Sequence, residues 1–183
     1  MEWLLFTYWL PPEPSRKRVY VWRQLKKTGA LLVEGGWLLP DTEETASTIR
    51  GIMKAVEEMG GTASLYTVKH ATGVQEQRAI ERFRQERTKE YSEIVNECRK
   101  ALKHIEWESE RGEFNFEEVE ELEGDLEKIR RWYNEIKKRD MWDCDTARSE
   151  VEKLISEIEK SLTDFTRTTC EKTSGITGSE YDA

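Results

Sequence analysis

The residues best placed to do chemistry lie just past the amino-terminal apolar run, in Ser15 to Gly29: Arg16, Lys17, Tyr20, Arg23 and Lys27. On a wheel turning ~100° per residue, Arg16, Arg23 and Lys27 fall within about 40° of one another, with Tyr20 beside them. Val21, Trp22 and Leu25 make the opposite, inner face. A cationic stripe with an adjacent aromatic suits contact with phosphates and bases, because Lys and Arg neutralise phosphate charge. The same stripe also suits a plain solvated helix face. Arg18 differs, because the wheel points it into the apolar sector, where it either snorkels at the helix start or meets a fixed partner in a polar pocket.

A second arginine, Arg87, falls in the apolar seam of a later helix, with Glu90 and Tyr91 next to it. An oxyanion pocket needs convergent donors shielded from water, and Arg18 with Arg87 are the scattered candidates. If they converge, the favoured outcome is an internal salt bridge that locks the long helix to the amino-terminal domain. Nucleophilic catalysis has no such constellation. His70 and His104 have no Ser or Cys in a nucleophilic pattern, no Gly-rich loop follows a strand, and the many carboxylates lie on helical faces. Cys98, Cys144 and Cys170 are far apart, with no C-x-x-C and no His at ligand spacing, so they read as free thiols. The expectation is a protein without catalytic residues, metal or cofactor.

The elements that must position these residues follow from the pattern. Trp3 to Leu10 is an apolar, aromatic run without internal Pro or Gly, hence a strand buried on both faces. Pro11, Pro12 and Pro14 stop it, and Ser15 is a good N-cap for the cationic helix. Ala30 to Glu34 and Trp37 to Leu39 are short strands joined by Gly35-Gly36. Asp41 with Glu44 caps a second helix whose buried face is Ile49, Ile52, Met53, Val56 and Met59, ending at Gly60-Gly61. Ala63 to Lys69 is a fourth strand. The order β-α-β-β-α-β is that of ferredoxin-like domains: an α+β fold, its four-stranded antiparallel sheet covered on one face by two helices.

From about Val74, apolar residues recur at three- and four-residue steps through Ile105, again from Val119 to Ile136, and again from Val151 to Phe165. This predicts a long-helix hairpin or three-helix bundle. The expected organisation is residues 1–72 as the α+β domain, 73–167 as the helical region and 168–183 as a flexible tail, mobile from Lys172 onward.

With 183 residues, 36% charged and 37% hydrophobic, the chain reads as soluble and helix-rich. No run approaches the roughly 18–20 apolar residues of a membrane span, and the start lacks the pattern of a signal peptide, so a cytoplasmic protein is expected. The net charge of -8 is unevenly spread. Residues 1–40 hold six basic against three acidic, 78–104 eight against five, and 106–127 one against eleven. The amino-terminal domain and the start of the long helix are therefore locally cationic.

Leu4-Leu5-Phe6, Pro12-Glu13-Pro14-Ser15, Arg18-Val19, Val21-Trp22-Arg23, Leu25, Gly29-Ala30 and Leu38-Leu39-Pro40 together resemble the amino-terminal domain of ChrB, the regulator associated with bacterial chromate-resistance operons. Phe83, Arg87, Glu90, Tyr91, Arg139-Asp140 and Trp142 match later parts of that pattern, over roughly residues 3 to 165. The resemblance implies a transcriptional regulator that binds promoter DNA and responds to chromate. The full-length regulator carries a second, carboxy-terminal domain, and this chain ends before it, so a dedicated chromate or other oxyanion pocket is not expected here. In a small CRISPR spacer-acquisition nuclease family of the same topology, an Asp ends the first strand; here Thr7-Tyr8-Trp9-Leu10 carries no carboxylate. Two readings remain: a DNA-binding regulator whose helices form a homodimer, and a non-catalytic interaction or oligomerisation module. A contiguous basic patch including Arg16, Arg23 and Lys27 favours the first.

Overall fold

The apolar amino-terminal run forms β1 (Trp3–Trp9), and the three prolines after it divert the chain into α1 (Ser15–Lys27). In this computed structural model, which describes residues 2–70 and 72–177, there follow β2 (Leu31–Val33), β3 (Gly36–Pro40), α2 (Glu43–Glu58), β4 (Thr62–Val68), α3 (Gly73–Arg111), α4 (Phe116–Arg139) and α5 (Asp145–Thr177). The sheet order is β2-β3-β1-β4, every neighbouring pair antiparallel. That is the expected split βαβ arrangement. The hairpin turn is Glu34-Gly35, because Val33 pairs with Gly36 and the second glycine is already in β3. A Cβ at Gly36 would lie 2.5 Å from the Phe6 carbonyl oxygen, and one at Gly61 2.4 Å from that of Trp9, so both positions need glycine for close strand approach.

Residues Met1–Phe83 and Arg84–Ala183 form two compact units. In the first, Leu4 and Phe6 of β1 pack with Trp37 and Leu39 against Val21 and Leu25 of α1 and Ile49, Ile52 and Val56 of α2. On the alternate face Trp3 is fully buried: its ring stacks on Phe83 at 5.7 Å between centroids, and its Nε1–H donates to Glu76 Oε1 at 3.3 Å. Arg82 donates to the Leu32 carbonyl. These contacts put the boundary at Phe83 rather than after residue 72. The expectation of burial on both faces holds for the first half of β1 only, since Trp9 is 59% exposed. α2 is capped one residue later than expected. Thr42 accepts from the Thr45 N–H while the Thr45 hydroxyl accepts from the Thr42 N–H, a reciprocal box of two threonines in place of Asp41 and Glu44.

The second unit is a three-helix core. Tyr91, Ile94, Cys98 and Ile105 of α3 meet Leu122, Leu126, Ile129 and Ile136 of α4 and Val151, Ile158, Leu162 and Phe165 of α5. Asn115 caps α4 by accepting from the Glu118 N–H at 2.9 Å. Acids in its first turn and Lys137, Lys138 and Arg139 in its last match the helix dipole. α5 continues to Thr177, so residues 168–177 are helical rather than part of a tail. The remainder of the expected tail, 178–183, lies outside the described residues. Threonines recur along the second half of α5: Thr163, Thr166, Thr168, Thr169 and Thr173 each donate a hydroxyl to the carbonyl four residues earlier.

Candidate nucleic-acid interface

Pro14 rather than Ser15 is the N-cap of α1, and it offers no side-chain cap; Ser15 is the first helical residue. The first turn then carries Arg16, Lys17 and Arg18 and no acid. Positive charge at a helix N-terminus opposes the dipole by about 0.3–1 kcal/mol per residue, so this turn is electrostatically incomplete on its own. Lys26 and Lys27 in the last turn sit where the dipole favours them.

Val21 and Leu25 are fully buried, as the wheel requires, and the sector opposite them is exposed. Arg16 and Arg23 are exposed there, and among the described residues neither has an ion pair. Tyr20, 46% exposed, lies beside the stripe on the wheel, next to Lys27, which continues the stripe at the carboxyl end. Two assignments are corrected. Trp22 is 47% exposed rather than internal, because Val21 and Leu25 already fill the contact with the sheet. Arg18 is also exposed, because in the first turn the apolar sector is not yet covered. Its charge reaches the Tyr8 hydroxyl, which burial nevertheless pushes above the usual phenol range. Lys17 is committed elsewhere: Nζ donates to the Met59 carbonyl at 2.9 Å, at the carboxyl end of α2.

In the second unit, Arg87 is buried and its Nη1 stands 3.0 Å from Glu90 Oε2; Arg139 Nη2 reaches the same oxygen at 3.1 Å. Burial holds the Arg87 guanidinium below its ordinary value, Glu90 opposing this and Arg139 adding to it. The Tyr91 hydroxyl donates to Asp140 Oδ2 at 3.1 Å, and Asp140 also accepts from the Cys144 N–H. Burial, followed by the Asp140 charge, raises Tyr91 strongly. The partners of Arg87 thus come from α3 and α4 of its own unit, and the cluster is an internal ion network. Cys98 and Cys144 are buried and Cys170 exposed, all free, as the spacing indicated.

The family model described as Protein ChrB, N-terminal, matches residues 18–175, most of the chain. The chain belongs to the ChrB N-terminal domain family. Membership places it with proteins of the chromate-resistance regulator kind. No curated protein and no solved structure matches it. The matched span of this ChrB-family chain runs from Arg18 through the helix of the cationic stripe to the Arg87 network and α5. No helix among the described residues is long and apolar enough to cross a membrane.

Proposed function

We infer that this ChrB-family chain is a DNA-binding transcriptional regulator whose α1 contacts the phosphate backbone through Arg16, Arg23 and Lys27, with Tyr20 alongside. The observation that carries the reading is the first turn of α1: Arg16, Lys17 and Arg18, no acid and no side-chain cap, followed by exposed Arg23 on the same face as Arg16. A bound phosphate supplies the negative charge that this helix end lacks. Lys17 is held by Met59, so the stripe rather than the whole basic run makes the contacts.

The test is an anisotropy titration with duplex DNA from the protein's own operon and with a scrambled duplex, over a range of salt. If Arg16, Arg23 and Lys27 make about three phosphate contacts, replacing them all by Glu weakens binding to both duplexes and reduces the slope of log K against log salt by about 2.7. Unchanged affinity in the triple variant removes the proposal. The two edge strands of the sheet, β2 and β4, support a homodimer as the binding species, checked by light scattering; a monomer mass at micromolar concentration counts against it.

A further inference from the structure

Where α3 ends and α4 begins, one buried carboxylate has no account within the ion network or the cationic stripe. Glu108 is 3% exposed; its Oε1 stands 3.6 Å from His104 Nε2, beyond hydrogen-bond distance, and its Oε2 is buried without a hydrogen-bond partner. A buried anion left in this state is strongly disfavoured unless a counter-charge reaches it. The surrounding sequence supplies none: from Glu106 to Glu127 there are eleven acids and one base, Arg111, which pairs with Glu113.

His104 and Glu108 are one helical turn apart and so share a face of α3. Glu118, in the first turn of α4, completes a group with them, one ligand atom from each lying within 4.8 Å of the others. We propose that His104, Glu108 and Glu118 form a binding site for a divalent first-row transition-metal cation, closing the α3–α4 turn. Nitrogen and oxygen ligands at 2.0–2.2 Å from such an ion stand at most about 4 Å apart, so a side-chain adjustment of roughly 1 Å brings the three onto one centre. One imidazole with two carboxylates favours Zn2+, Mn2+, Fe2+ or Co2+ over Mg2+ and Ca2+, which take all-oxygen sets.

A second group also uses His104, with Glu121 and Asp125. It is the weaker choice, because Asp125 already holds Lys128 at 2.8 Å and Glu121 is exposed, whereas Glu108 is the carboxylate that lacks a partner. Lys128 and Lys100 line the adjacent cavity of about 390 Å³, and Lys100 is likewise paired, with Glu97 at 2.7 Å.

The experiment uses the full chain, stripped with chelator, titrated with Zn2+ by calorimetry and with Co2+ by visible absorption, with Mg2+ as the control. The expected result is one saturable Zn2+ per chain, a Co2+ spectrum without a thiolate charge-transfer band, and no Mg2+ heat. Glu108→Gln and Glu118→Gln each weaken Zn2+ binding at least tenfold, and Glu121→Gln changes it less than twofold. Glu118 is only half-buried, so its variant reports even if Glu108→Gln disturbs folding. Absence of saturable binding, a thiolate-type Co2+ spectrum, or Glu108→Gln and Glu118→Gln binding as tightly as the parent overturns the proposal.

Discussion

Replacing Glu90 by Gln should destabilise the helical unit far more than replacing Arg87 by Met, although Arg87 is the more deeply buried of the two. Both arginines lean on one oxygen, Glu90 Oε2, at 3.0 and 3.1 Å, with side-chain exposures of 5% for Arg87, 24% for Glu90 and 16% for Arg139. Removing Glu90 leaves two poorly hydrated cations facing each other. Removing Arg87 instead leaves Arg139 paired with Glu90, and it deletes the charge whose burial is the largest influence on that guanidinium. Breaking a buried pair costs about 3–5 kcal/mol, and the partial exposure of Glu90 reduces this to about 2–4 kcal/mol. At roughly 3 °C per kcal/mol for a chain of this length, Glu90→Gln should lower Tm by about 6–12 °C. Arg87→Met, a swap of a buried ion for an apolar chain, should stay within about 3 °C of the parent. Thermal unfolding followed by circular dichroism at 222 nm reads both. A Glu90→Gln shift smaller than that of Arg87→Met would refute the reasoning, because the arginine would then be the group the network requires.

Folded protein at pH 8 should react with a disulfide reagent at one thiol per chain, Cys170, since burial pushes Cys98 up to about 11 and raises Cys144 as well. Denaturant should release all three; fast reaction of a second thiol in the native state contradicts the buried assignments. Gly61→Ala should cost about 1–3 kcal/mol, as its Cβ meets the Trp9 carbonyl. Gly51→Ala, in the interior of α2 with nothing within 4 Å of a Cβ, should gain about 0.5–1 kcal/mol; urea titration gives both signs. Calorimetry should show no saturable heat for chromate beyond that for sulfate, because Arg87 and Arg139 already share Glu90. Chromate-selective heat lost in Arg87→Ala would show that the cluster opens to anions.

The order of elements in the amino-terminal unit was legible because each apolar run there is bounded by Pro or Gly, and its period changes sharply between strand and helix. The caps were less legible. Thr42 and Thr45 satisfy each other's amides as Asp41 and Glu44 would have, and composition alone does not separate the two registers. A wheel assumes that a helix is covered along its whole length, so it misplaced Arg18 in the first turn and Trp22 at the edge of the contact. The domain boundary was missed for a tertiary reason: Ala79 and Phe83 continue the apolar pattern of α3, yet Phe83 packs on Trp3. At the α3–α4 turn, His104 and Glu108 advertise a shared face by their spacing. Glu118 joins them only because α4 folds back, which the spacing did not reveal.

The threonines at the end of α5 imply a gradient in how firmly that helix is held. Five of them, from Thr163 to Thr173, back-bond to carbonyls already used by the helix. Each is a weaker helix former than Ala by about 0.5 kcal/mol, so together they remove roughly 2–3 kcal/mol from the local helix-coil balance. What offsets this is contact: Phe165 with Phe114 at 4.9 Å between rings, the fully buried Thr169, and Lys172 Nζ 3.9 Å above the Phe114 ring. Amide hydrogens from Val151 to Leu162 should therefore exchange only on global opening of the bundle. Those beyond Thr169 should exchange through a local fraying that the Lys172 contact with the Phe114 ring restrains.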